Sequence, residues 1–247
     1  MLRIGSGARA LGVIRRVPVV SVDTPHGTAK AHLDLVDRPS AALILGHGAA
    51  GGVASGDLVA VRDMALSAEL NVALVEQPYR VAGRRSPAPA HQLDVAWKAV
   101  VEQLRDVEFE GLPLVVGGRS LGARVACRTA AVTGAVGVVC LAFPLQPPRR
   151  RGSAAPATSR LPELEAVTVP TLVVQGERDL FGIPPAAPLR TVVEVPGDHS
   201  LRADPAAVAS AVAHWLPGAL DRAPVRRRAS RPPSGGTPSK PRSRRQR

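Results

Sequence analysis

Short, uninterrupted apolar runs alternate along this chain with longer stretches of helical periodicity. The runs occupy 41–45, 72–75, 114–116, 136–142, 171–174 and 191–195. A strand that is apolar at every position is buried on both faces, as parallel strands are when helices cover the sheet above and below. Between the runs, Leu93, Ala96, Trp97, Val100, Val101 and Leu104 fall on a single helical stripe. Val208, Ala211, Val212, Trp215 and Leu216 form a second one. It is opened by Asp204 as N-cap and Pro205 at the first helical position, and Pro217-Gly218 is expected to end it. Further helices are expected over 58–70, after the 114–116 strand to about 131, and as a short turn over 161–166. A hairpin of 17–22 and 29–36, turning at 23–27, comes first. The fold class is therefore α/β, a mostly parallel twisted sheet with helices on both faces.

The chain of 247 residues is long enough for one such domain. Aromatic residues make up only 2%, so Val, Leu, Ala and Ile must fill its core. The net charge of +12 is unevenly placed: from Arg222 onward there are ten Lys/Arg and no Asp/Glu, which leaves 22 basic and 20 acidic residues elsewhere. The chain thus divides into an N-terminal segment 1–16, a folded domain 17–220 and a basic, disordered tail 221–247. Without interleaved aromatics, that tail offers a weak, salt-sensitive polyanion contact, or more simply a solubilising extension. Cys127 and Cys140 sit in apolar stretches without metal or disulfide spacing and read as small buried hydrophobes. No run reaches the roughly 18 apolar residues of a membrane span, and 1–16 makes a poor secretory signal. The expected location is cytoplasmic, and the oligomeric state is left open.

Reactive groups of a parallel sheet gather at the carboxyl ends of its strands. Four features stand at such ends here. Gly118-Arg-Ser-Leu-Gly122 follows the 114–116 run and spells G-x-S-x-G, the turn that exposes a nucleophilic serine between strand and helix. Read alone, it is one serine among many small residues. His47-Gly-Ala-Ala-Gly-Gly52 follows the 41–45 run. Its small residues suit an oxyanion loop, with the N–H groups of Ala49 and Leu121 as donors, or a glycine-rich turn holding a structural histidine. Gln175-Gly-Glu-Arg-Asp179 places an acid after the 171–174 run. Asp179 fits the role of orienting a histidine, with Glu177 and Asp198 as competitors. His199, in the loop between the last strand and last helix, is positioned to act as general base. The order Ser120, Asp179, His199, with the oxyanion loop preceding them, is the chain order of an α/β-hydrolase triad.

Several strings resemble the dienelactone-hydrolase-like superfamily of α/β-hydrolases, and more narrowly its KANL/Tex-like branch. They are Gly46-His-Gly-Ala-Ala-Gly51, Gln77-Pro-Tyr-Arg80 with Arg84 and Pro87, Gly118-Arg-Ser-Leu-Gly-Ala-Arg124, Phe143-Pro-Leu-Gln-Pro-Pro148, Gln175-Gly-Glu-Arg-Asp-Leu-Phe-Gly182 and Gly197-Asp-His199. The resemblance covers about 17–216. It implies Asp179 rather than Glu177 as the acid. It also departs from the relatives: Gln146-Pro147 stands where they tend toward His-Pro, and the insert from Arg149 is divergent. Arg119 and Arg124 have no role in this reading.

The implied chemistry is acyl transfer from a small-molecule carboxylic ester or thioester to Ser120, with no metal or organic cofactor. Only 28 residues, 143–170, separate the fourth and fifth parallel runs, so no large cap domain fits. An open pocket is expected between loops 49–56, 78–90 and 144–160. Arg80, Arg84, Arg85 and Arg149 to Arg151 on two of them would suit an anionic acyl group, although loop arginines are more often simply solvated. The competing class of function is a non-catalytic interaction protein on the same fold, its basic tail contacting polyanions.

Overall fold

In the computed structural model, which describes residues 15–16, 19–147 and 158–222, the apolar runs lie side by side in one nine-stranded sheet. The strands are β1 (Arg15–Arg16), β2 (Val20–Thr24), β3 (Gly27–Leu35), β4 (Ala41–Gly46), β5 (Leu70–Glu76), β6 (Leu114–Arg119), β7 (Gly137–Leu141), β8 (Thr171–Gly176) and β9 (Arg190–Val195). The helices are α1 (Gly56–Ser67), α2 (Pro78–Val81), α3 (Ala90–Asp106), α4 (Leu121–Thr133), α5 (Leu161–Glu165) and α6 (Pro205–Asp221). Across the sheet the order is β1-β3-β5-β4-β6-β7-β8-β9, and β2 pairs with β3. All pairs from β5 to β9 are parallel, while β3 runs antiparallel to β1, β2 and β5.

Alternation along each strand divides the core in two. On β4, Ala42 and Ile44 face a layer with Trp97, Val100 and Leu104 of α3 and Val125 and Ala126 of α4. Ala41, Leu43 and Leu45 face the opposite layer, with Leu58 and Val61 of α1 and Val208, Val212 and Leu216 of α6. Each such aliphatic side chain contributes on the order of 2 kcal/mol by leaving water. Helices therefore cover both faces, as the uninterrupted apolar runs require. Because β4 pairs with both β5 and β6, the chain leaves β4 toward one side and returns on the other. The crevice of such a sheet opens at the carboxyl ends of those strands. Between β7 and β8 the described residues hold only the short α5, and no large cap domain covers the crevice.

Several boundaries differ from the sequence reading, each for a local reason. The leading hairpin turns at Pro25-His26 alone, with Gly27 at φ +106°, so β2 runs on to Thr24. β5 begins at Leu70, two residues early, because the buried polar Asn71 belongs to it and accepts the Val36 N–H at 2.9 Å. β6 continues through Gly117-Gly118, beyond the expected run 114–116: a methyl on Gly117 would lie 2.3 Å from Val139 O. A single turn, α2, forms inside the expected loop 78–90, with Pro78 at its first position. α6 passes Pro217 and ends at Asp221, since Ala219 is buried and Leu220 packs on the same layer.

Arg124, which had no role in the sequence, forms a two-pronged ion pair with Glu163 of α5, at 2.9 and 2.5 Å. Arg128 makes the same fork to Asp94 of α3, at 2.8 and 2.6 Å, so α3, α4 and α5 are joined through α4. The Cys127 and Cys140 thiols are both buried and lie 3.4 Å apart. The bond to Cys127 and burial together push the Cys140 thiol well up, which keeps it protonated and inert. The expected segments 1–14, 17–18, 148–157, including Arg149 to Arg151, and the tail from 223 lie outside the described residues. No described helix is long and apolar enough to cross a membrane.

Candidate active site

Ser120 joins β6 to α4 with φ 51° and ψ −102°, a conformation that costs a non-glycine residue about 1–3 kcal/mol. It persists because both sides of the turn are fixed. Before it, β6 is paired with β4 and β7, and the Ser120 N–H itself donates to Leu141 O at 2.9 Å. After it, α4 starts at once and lies directly against β4. A methyl on Gly118 would come 2.4 Å from Gly46 O, and one on Gly122 would come 2.3 Å from the same oxygen. The two glycines of G-x-S-x-G are thus the places where the elbow presses on the neighbouring strand.

His199 reaches this turn from the loop between β9 and α6. Its Nε2 lies 2.9 Å from Ser120 Oγ, and its Nδ1 lies 2.8 Å from Asp179 Oδ2. An ionised Asp179 accepts only, so Nδ1 carries the ring proton and Nε2 is left free to accept from the serine hydroxyl. The Asp179 carboxylate is fully buried, while the His199 side chain is 21% exposed. Oδ1 accepts the Phe181 N–H at 2.9 Å, and Oδ2 also accepts from Gln175 Nε2 at 2.6 Å. The Phe181 ring covers the imidazole, with centroids 4.2 Å apart. The two rival acids stand elsewhere: Glu177 is exposed, and Asp198 turns to solvent. The Ser200 hydroxyl and amide hold the Asp198 carboxyl below its ordinary value.

The loop after β4 lies beside the serine, since a methyl on Gly48 would be 3.8 Å from Ser120 Cβ. No described group takes up the N–H of Ala49 or Leu121. His47 holds the turn of this loop in place. Its ring is buried, Nδ1–H donates to Gly48 O at 2.8 Å and Nε2 accepts the Gln77 N–H at 3.2 Å. The Tyr79 hydroxyl adds a bond to Ala49 O at 3.1 Å, and burial pushes that phenol up to about 12. A neutral histidine and a neutral tyrosine therefore tie the small-residue loop to α2.

A pH dependence follows from His47. Burial lowers its pKa from 6.5, against the opposing effect of its bond to Gly48. Between the folded and unfolded values the unfolded chain holds the extra proton, so stability rises with pH in that window. The contribution is complete above about pH 6.5 and is lost as the pH falls below it. Chemical unfolding at about pH 7.5 and about pH 5.5 should therefore show a larger loss for wild type than for His47→Gln. Equal losses would contradict this account of the loop.

Two neighbours had been given no role from the sequence. Gln175, next to the end of β8, is a buried amide whose Nε2 also lies 3.0 Å from Gly182 O and 3.1 Å from Phe143 O. A polar residue directly after the 171–174 run was the available signal. Arg119 Nη2 donates to His199 O at 2.9 Å, and its Nε lies 3.0 Å from Asp57 Oδ2 in α1. The second is an ion pair in which the N–H is not aligned on the oxygen.

Comparison with known proteins bears on the fold. A lidless serine hydrolase from Xanthomonas campestris shares 19% identity, with 81% of this chain and 94% of that one covered at a TM-score of 0.61. Est1E from Butyrivibrio proteoclasticus shares 15%, covering 83% and 99% at a TM-score of 0.65. Dienelactone hydrolase from Anabaena variabilis shares 17%, covering 85% and 99% at a TM-score of 0.64. At these identities the likeness is one of fold. No curated protein sequence matches the chain significantly. The sequence profile described as alpha/beta hydrolase domain matches residues 39–206, well over half of the chain, and the protein belongs to that family.

Proposed function

We propose that the protein is a serine hydrolase that cleaves a carboxylic ester or thioester through Ser120, His199 and Asp179. The observation that carries this reading is the continuous chain from Asp179 Oδ2 to His199 Nδ1 at 2.8 Å and from His199 Nε2 to Ser120 Oγ at 2.9 Å. In the first half-reaction His199 takes the hydroxyl proton as Ser120 Oγ bonds to the carbonyl carbon. The resulting oxyanion is met by the N–H groups of Leu121 and Ala49, each such donor being worth about 3 kcal/mol in the transition state. His199 then gives its proton to the departing alkoxide or thiolate, which leaves an acyl-serine. Water, deprotonated by the same histidine, attacks that ester, and proton return to Ser120 Oγ releases the acid. Asp179 keeps the proton on Nδ1 and stabilises the imidazolium at both stages.

The absence of a large cap leaves the crevice open to small acyl groups. Membership of the KANL/Tex-like branch, the 17–220 domain limits, a cytoplasmic location and a polyanion contact through the tail belong to the same proposal. A steady-state assay with p-nitrophenyl acetate and a short-chain acyl thioester tests it. Ser120→Ala should lower kcat by about 10⁴-fold or more while leaving the unfolding transition in place. Turnover of both substrates at the wild-type rate would refute it.

A further inference from the structure

The residue inside the pentapeptide that the triad does not use is Arg119. It is a charged side chain directly after a buried strand, and only 17% of it is exposed. Its guanidinium touches three separate parts of the site. Nη2 donates to the backbone oxygen of His199 at 2.9 Å. Nε faces the Asp57 carboxylate at 3.0 Å, and that carboxylate is 1% exposed in the first turn of α1. Nη1 lies against the loop after β4, where a methyl on Gly48 would stand 2.9 Å away. One planar group thus spans the nucleophile's strand, the base's loop and the loop that carries Ala49.

The bond to His199 is the informative one. The loop 196–204 is irregular and has Leu201 at φ 52°. Its other backbone ties, Arg178 N–H to Gly197 O at 2.9 Å and Leu201 N–H to Asp198 O at 3.1 Å, anchor the residues around the histidine. The carbonyl of His199 itself is held by Arg119. Because Arg119 precedes Ser120 directly, the distance between nucleophile and base is set by a link that begins one residue from the nucleophile. Displacing a reacting group by about 1 Å costs on the order of 10²-fold in rate. A lysine, with a single ammonium, cannot serve the carbonyl and the carboxylate with the same fork.

We propose that Arg119 is a positioning residue for the general base, coupling the His199 loop to the nucleophile turn and to α1 through Asp57. The inference rests on the proposed serine hydrolase reading. Arg119→Gln should lower kcat for p-nitrophenyl acetate by about 10–100-fold with KM within about twofold, because base alignment changes and substrate contacts do not. Arg119→Lys should recover part of the loss. The same substitution on a His199→Ala background should change the residual rate by less than about twofold, since a residue acting through the histidine has nothing left to align. A purely structural role would lower both backgrounds by the same factor, and that result overturns the proposal, as does wild-type kcat in Arg119→Gln. Should Arg119→Gln not fold, Arg119→Lys is read in the same cycle, with a loss of about 3–10-fold expected only when His199 is present. Undiminished turnover in Ser120→Ala would bring down both readings; an inactive Ser120→Ala beside an unaffected Arg119 variant would bring down this one alone.

Discussion

Asp179→Asn is expected to reduce kcat by about 10³–10⁴-fold while the fold persists. The local hydrogen bonds determine how. Among the described residues, Oδ2 receives two donors, His199 Nδ1–H and Gln175 Nε2–H, whereas Oδ1 receives only the Phe181 N–H. An asparagine set with its NH2 toward His199 would oppose two donors, so it should turn the amide toward Phe181 and leave its oxygen on the histidine. The tautomer then survives, and the loss comes from the missing negative charge that stabilised the imidazolium. A preserved Ser120–His199 bond beside a low kcat would be the corresponding structural result. Asp198→Asn and Glu177→Gln, both at exposed positions, should each change kcat by less than about threefold. If Asp198→Asn is the damaging change, the acid is misassigned.

Gly122→Ala is expected to destabilise the protein by about 3 kcal/mol or more, the upper end of overpacking costs. The added methyl would lie 2.3 Å from Gly46 O, 2.6 Å from Gly46 C and 3.0 Å from His47 O. All three are backbone atoms. Gly46 cannot yield, since β4 is hydrogen-bonded between β5 and β6 over its length. α4 must move instead, and it carries the Leu121 N–H and the turn of Ser120 with it. Denaturant unfolding would show the lowered midpoint, and activity should fall together with stability. A variant as stable as wild type would mean that the close approach of α4 to β4 does not exist in solution.

The parallel sheet was legible because burial on both faces demands uninterrupted apolar runs, and the two amphipathic stripes marked α3 and α6. What stayed hidden was set by contacts between distant segments. Gly117-Gly118 fell outside the 114–116 run because glycine carries no side chain to announce burial, yet Val139 O and Gly46 O leave no room for one. Pro217 looked like a stop, although the burial of Ala219 carries α6 past it. At the site, Ser120, Asp179 and His199 stood out because each followed an apolar run. The bond of Gln175 to Phe143 and the contacts of Arg119 with His199 and Asp57 join residues far apart in the chain, and spacing along a sequence carries no trace of them. The loop after β4 was ambiguous for a different reason: an oxyanion loop and a glycine-rich turn holding a structural histidine need the same small residues in sequence, and the two ring contacts of His47 account for the histidine alone.

The central claim is that Ser120 is the nucleophile activated by His199. The most direct measurement is labelling of the intact protein with a fluorophosphonate, followed by peptide mapping of the adduct. A single adduct on Ser120 is predicted, slowed by several orders of magnitude in His199→Ala and lost in Ser120→Ala. An adduct on another residue, or none on a protein that hydrolyses esters, would contradict it.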